Sequence, residues 1–235
     1  MQVEIVDYVA GAAHARGIAV IIDVFRAFTV APHAVAAGAS RVLPVGEVEE
    51  ALVLRAVLPG ALLVGERHAR RLPGFDAGNS PTEILAANVA GRPVVHTTHA
   101  GTQGLVHATG ADEVLTASLV NVSAIARYLR LRNAQTVTLV RMGHEARARC
   151  TEDDLCASII VALLEGGVPP TTAQAREWLR EAPAARKFFD PACDWAPRED
   201  FDYCTEVDRF DFVLRLRTGS DGRRELERVD VPGAP

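Results

Sequence analysis

The chemistry this chain can do is carried by carboxylates and arginines that stand at the ends of apolar runs. Asp23 directly follows the unbroken apolar stretch 18–22, and Glu66 follows another, 61–64, after a single glycine. Asp76 lies in the loop beyond, and Glu152, Asp153 and Asp154 crowd the opening of a helix. Carboxylates sharing one cleft repel each other unless a cation holds them. An all-oxygen donor set without a His or Cys pair suits a hard ion, magnesium above others. Taken singly, each of these groups reads as a helix cap or a solvated loop charge, and Asp153 or Asp154 as a complement to the helix dipole. Asp23 is different, because a charge abutting a buried strand needs a compensating partner.

Arg26 and Arg67 lie within three residues of Asp23 and Glu66 respectively. Each is read equally well as a structural ion pair or as a planar fork for phosphate, sulfonate or carboxylate. Thr97, Thr98, Gly101 and Thr102 make a hydroxyl-rich turn opening a helix, which can offer backbone N–H groups to an anion. His96 and His99 are three apart where a strand becomes a loop, an arrangement that argues against a zinc pair. His99 and His144 read as surface histidines, with proton shuttling as the alternative. Cys156 reads as a small core residue. There is no GxGxxG after a strand, no GxxxxGK[ST] and no GxSxG. Phe25 stands where an aspartate-nucleophile phosphatase would place its second aspartate.

Parallel βαβ units are what bring such remote groups together, since all strand carboxyl ends then share one edge. The pattern supports them: strands over 3–6, 18–22, 41–45, 61–64, 93–97, 113–117 and 136–142 alternate with helices over 27–37, 47–58, 81–90, 122–131 and 151–165. A further helix carries Trp178, and alternation from Phe210 followed by the turn 219–222 and the run 224–231 predicts a hairpin at the sheet edge. The fold class expected is α/β, a three-layer α/β/α sandwich with helices on both faces of one largely parallel sheet. The loop within 62–81 exceeds what a strand-to-helix connection needs, which suits a lid over a ligand. It closes on Ser80, Pro81 and Glu83, a capped helix start.

Composition sets the limits. The 235 residues are 49% hydrophobic and 23% charged, with a net charge of −5 and a single lysine, Lys187. That is a soluble chain with room for a sizeable core, read as one domain over 1–235 with a frayed tail at 232–235. No basic run suggests nucleic acid, and no apolar run is long enough for a membrane. Four cysteines without a CxxC pair or signal peptide point to a reduced cytoplasmic setting. Nothing in the pattern fixes the oligomeric state; a homodimer is one option.

IDVFRAFT, GER followed by GFDAGNSP, TTHAGT and EDDLCAS occur in this order, and together they resemble the ComB family of magnesium-dependent 2-phosphosulfolactate phosphatases. The resemblance spans about 18–160, continuing through DYCTEVDRFDFVLRL. It implies the three-layer α/β/α fold and hydrolysis of the phosphate ester of a small sulfonated 2-hydroxy acid, a step towards coenzyme M. Matching motifs carry over Asp23, Arg26, Glu66, Asp76, Asn79, Glu152 and Asp153. The chain departs from the family where TTHAGT places Ala100 for an expected asparagine, and in the basic run 144–149.

The expectation is therefore a cytoplasmic phosphatase using Mg2+ on a small anionic phosphorylated substrate. Asp23, Arg26, Glu66 and Asp76 form its catalytic set, and Arg67, Asn79, Thr98, Gly101 and Thr102 bind substrate. Asp23, Glu66, Asp76, Glu152 and Asp153 hold the metal. The alternatives are a phosphatase for another phosphorylated hydroxy acid, or a non-catalytic anion-binding module on the same fold.

Overall fold

The computed structural model describes residues 1–233, so the tail expected to fray falls partly outside the described residues. The strands are β1 (Gln2–Asp7), β2 (Ile18–Ile22), β3 (Arg41–Pro44), β4 (Leu62–Arg67), β5 (Arg70–Arg71), β6 (Pro93–Thr97), β7 (Glu113–Ala117), β8 (Thr136–Arg141), β9 (Phe212–Thr218) and β10 (Arg224–Asp230). The helices are α1 (Tyr8–His14), α2 (Ala27–Ala36), α3 (Val48–Val57), α4 (Pro81–Ala86), α5 (Gly101–His107), α6 (Val122–Leu131), α7 (Thr151–Leu164), α8 (Thr172–Arg180) and α9 (Arg198–Cys204). A 3-10 turn at Pro183–Phe188 precedes α9.

The strands divide between two sheets rather than forming the single sheet expected. One runs β1-β8-β2-β7-β9-β10, the other β3-β6-β4-β5. Pairing is parallel among β1, β8, β2 and β7 and among β3, β6 and β4, and antiparallel at β7–β9, β9–β10 and β4–β5. The α/β sandwich and the C-terminal hairpin at a sheet edge are as the sequence predicts. β10 also lies beside β3, where Arg41 bonds Glu225 and Asp221, so the hairpin joins one sheet to the other.

Burial explains the layering. Every residue of β2 is buried, as its unalternating apolar run requires of a central parallel strand. Val20 and Ile22 face α6 and α7, whereas Ala19 and Ile21 share a core with α2, α5 and the inner residues Val42, Leu62, Val64 and Val94 of the second sheet. The outer face of that sheet packs Leu43, Leu63 and Val95 against Ala51 and Leu54 of α3. The helices thus fix which edge of each sheet is left open, and the carboxyl ends of β2, β4, β6 and β8 converge there.

The stretch 62–81 is not a free lid. β4 passes through Gly65 to Arg67 instead of ending at the glycine, and β5 folds back on it, pairing Glu66 with Arg71. Gly65 serves close approach: a Cβ there would lie 2.2 Å from the Thr97 carbonyl oxygen. The return of the loop is tied down as well, since Asp76 and Ala77 donate their N–H groups to the Leu63 carbonyl at 2.9 and 3.2 Å. Ser80 then caps α4 by accepting from Glu83 N at 3.2 Å.

Candidate active site

Asp23 enters the converging edge because β2 ends one residue before it, and its Oδ1 accepts from Ala27 N at 3.1 Å as α2 begins. Asp153 arrives from the first turn of α7 and is held from two sides. Its Oδ1 accepts from Val24 N at 2.9 Å and its Oδ2 from Gly143 N at 2.8 Å, so it bridges the ends of β2 and β8. Glu152 beside it is buried, and its Oε2 has no hydrogen-bond partner among the described residues. Glu66, at the end of β4, accepts from Ala69 N and His99 N, both at 2.7 Å, and so ties the β4–β5 turn to the turn before α5.

Positive charge stands opposite. Arg26 is buried, with its Nη1 donating to Asp200 at 2.7 Å and to the Trp195 carbonyl at 3.2 Å, and its Nη2 donating to the Ala69 carbonyl at 3.2 Å. Lys187, from the 3-10 turn before α9, lines the same cleft. Asn79 lines it too, and its Oδ1 pairs with His96 Nε2 at 3.3 Å.

Crowding shows in the ionisation of these groups. Burial, then Asp153, then Glu66 push Asp23 up to about 7. Burial and then Glu152 push Asp153 up to about 7, and burial raises Glu152 as well. Burial, reinforced by Arg26, pulls Lys187 down. Burial and mutual repulsion disfavour the ionised forms of these carboxylates, which is the condition under which a multivalent cation binds well. Asp23, Glu152 and Asp153 form an oxygen-only donor set of the kind hard cations take. Charged, amide and imidazole side chains supply most of the lining of the cleft, which suits a small polar, anionic ligand.

Of the residues singled out from the sequence, Asp23, Arg26, Glu66, Asn79, Glu152 and Asp153 line this one cleft. Arg67, Thr98, Gly101 and Thr102 stand behind it. Arg67 donates to the Glu66 and Gly46 carbonyls and to Thr97 Oγ1 at 2.7, 3.0 and 3.1 Å, which occupies its fork with structural bonds. Thr98 and Thr102 satisfy each other, each accepting the other's N–H. Gly101 backs Asp23 closely enough that a Cβ would lie 2.7 Å from its Oδ2. Asp76 does not join the cluster: its carboxylate pairs with Arg55 of α3 at 2.8 Å and accepts from Leu63 N at 2.8 Å, which makes it a brace for the loop. Lys187 and Asp200 were not singled out from the sequence. The signal for Lys187 was its being the only lysine in the chain.

Residues 5–219 match the model of the 2-phosphosulpholactate phosphatase family. A protein of Caldanaerobacter subterraneus subsp. tengcongensis is 33% identical over 213 residues, covering 85% of this chain and 88% of its own. One of Bacillus subtilis is 31% identical over 216 residues, covering 90% and 92%. One of Deinococcus radiodurans is 39% identical over 150 residues, covering 63% and 62%. Each is described as a probable 2-phosphosulfolactate phosphatase. The chain is a phosphoric monoester hydrolase on an α/β fold. The chain belongs to the 2-phosphosulpholactate phosphatase family.

Proposed function

We propose that this chain is a magnesium-dependent phosphatase acting on 2-phosphosulfolactate and releasing sulfolactate and phosphate. The observation that carries the reading is the meeting of buried Asp23, Glu152 and Asp153 with Arg26 and Lys187 in one cleft. Family membership supports the substrate, and the unpartnered Glu152 Oε2 supports a cation among the carboxylates.

Asp23, Glu152 and Asp153 would hold the magnesium, with Glu66 beside them. When bound, the ion supplies neutralisation of charge on the ester phosphate. The chain's own groups do the rest. Asp153, locked by two backbone N–H bonds, gives the cluster a fixed anchor. Arg26 and Lys187 provide positive charge for the substrate's acid groups. Asn79, with its oxygen turned to His96, is left with its amide N–H groups to donate to an acid oxygen. Glu66 keeps the turns carrying Ala69 and His99 in register around the substrate.

The test is phosphate release by the purified protein from 2-phosphosulfolactate, phosphoglycolate and phospholactate, with magnesium and with a chelator. The expected result is fast, magnesium-dependent turnover of 2-phosphosulfolactate, abolished by Glu152→Gln. Equal turnover in chelator overturns the metal assignment, and a preference for phospholactate overturns the substrate. His99 and Ala100 line the cleft where the family turn differs, and this favours a related phosphorylated hydroxy acid as the second reading.

A further inference from the structure

The rim of the cleft carries a second cluster with different chemistry. His68 follows β4, His99 precedes α5 and Glu145 sits in the loop after β8, and their ligand atoms all lie within 4.8 Å of one another. His68 Nδ1 and Glu145 Oε1 are 2.6 Å apart. The His68 and His99 rings meet edge to face with centroids 5.0 Å apart. The Nδ1 of His99 is buried and has no hydrogen-bond partner among the described residues. A buried imidazole nitrogen left without a partner is costly, and the ring that carries it packs against a second imidazole.

We propose that His68, His99 and Glu145 form a binding site for a late first-row divalent cation, zinc being the type case, separate from the oxygen cluster deeper in the cleft. Two imidazoles and one carboxylate are a borderline-soft donor set that suits zinc, whereas the oxygen-only set of Asp23, Glu152 and Asp153 suits a hard ion. The two sites therefore discriminate between metals by donor type. Three protein ligands at a half-open rim also leave a fourth position for water, as zinc sites with three protein ligands do.

The backbone holds the three residues in place before any metal arrives. His68 and Glu145 have φ of 52 and 50 degrees, and Ala69 and Ala146, which follow them, have 62 and 54 degrees. Non-glycine residues take this left-handed conformation only where surrounding structure enforces it. For His68 the enforcing group is Glu66, whose two oxygens accept from Ala69 N and His99 N, the second bond also holding the backbone of His99. For Glu145 it is the turn closed by His144 and Ala148, with His144 N donating to the Ala148 carbonyl at 2.7 Å. Ligand atoms around tetrahedral zinc are spaced about 3.3 Å apart, given bonds of about 2.0–2.1 Å, so small side-chain adjustments suffice. A metal here would pin together the three turns that frame the cleft mouth.

The experiment is a zinc titration of the full chain against a chromophoric chelator, with saturating magnesium present to occupy the oxygen cluster. It is run on the wild type, His68→Ala and Glu145→Gln, and His68 is 70% exposed, so its loss leaves the fold intact. The expected result is one zinc per chain for the wild type and at least tenfold weaker binding for each variant. A cobalt-loaded sample should show the visible bands of a nitrogen-ligated four-coordinate ion, lost in His68→Ala. Absence of zinc uptake by the wild type overturns the site. So does uptake by His68→Ala and Glu145→Gln with unchanged affinity, which would assign the zinc to other groups. Neither outcome bears on magnesium or on phosphate release.

Discussion

Asp200 on α9 fixes Arg26, 174 positions earlier in the chain, through a 2.7 Å ion pair in which both side chains are fully buried. Its other oxygen accepts from Ser80 Oγ at 2.8 Å and Thr82 N at 3.0 Å, so one carboxylate aims a cleft arginine and secures the start of α4. Removing one partner of a buried pair leaves an uncompensated charge and costs about 3–5 kcal/mol. Asp200→Ala should lower unfolding free energy in urea by that amount, with Asp200→Asn milder because it keeps an oxygen for Ser80 and Thr82. Wild-type stability for Asp200→Ala would refute the role given to this pair.

Lys187 is the cation the irregular segment before α9 contributes to the cleft. If it meets an acid group of the substrate, Lys187→Met forfeits a charge-assisted bond worth about 1.5–3 kcal/mol, a rise in KM of about 10- to 100-fold. Stability should hold, because the substitution removes a charge that burial disfavours. Steady-state kinetics with unchanged KM would take Lys187 out of the binding role.

Gly101 leaves no room for a side chain: a Cβ would lie 2.7 Å from both Asp23 Oδ2 and Ala27 Cβ. Gly101→Ala should cost about 1–3 kcal/mol of stability through overpacking and displace the Asp23 carboxylate. Phosphate release should then fall at least tenfold while far-UV circular dichroism stays native. Full activity in the variant would show that α5 yields instead of Asp23.

His96 is buried, and burial lowers its pKa from 6.5 to about 4. Between those values the unfolded chain binds a proton that the native fold excludes, so the His96 contribution to stability is full above pH 6.5 and lost as pH falls towards 4. Linkage puts the loss at about 2 kcal/mol between pH 7.5 and pH 5. Asp23 and Asp153, pushed up to about 7, act in the opposite direction over the same range, so the His96 share is read by difference: between pH 7.5 and pH 5 the unfolding free energy of the wild type should change by about 2 kcal/mol less favourably than that of His96→Gln. An identical pH dependence in the variant would place the titration elsewhere.

Much of the cleft was legible because its acids sit where a pattern changes. Asp23 and Glu66 terminate apolar runs, and Glu152 and Asp153 lie in the first turn of a helix. Asp76 and Arg67 show the limit of that reasoning, since their partners Arg55 and Gly46 come from neighbouring elements whose placement no local spacing encodes. Thr98 and Thr102 offered an anion turn but satisfy one another. Lys187 and Asp200 lie in a stretch of prolines, aspartates and aromatics without periodicity, so their inward direction comes from packing alone. The division into two sheets escaped the sequence for a related reason. Buried parallel strands share one apolar signature whichever neighbour they pair with.

The hairpin of β9 and β10 is made late, yet it closes β7 on one side and lies along β3 on the other. Earlier segments leaving the ribosome therefore have local βαβ partners but no means of sealing the seam between the two sheets. Until that last ribbon emerges, the edges of β7 and β3 stay open to other nascent chains.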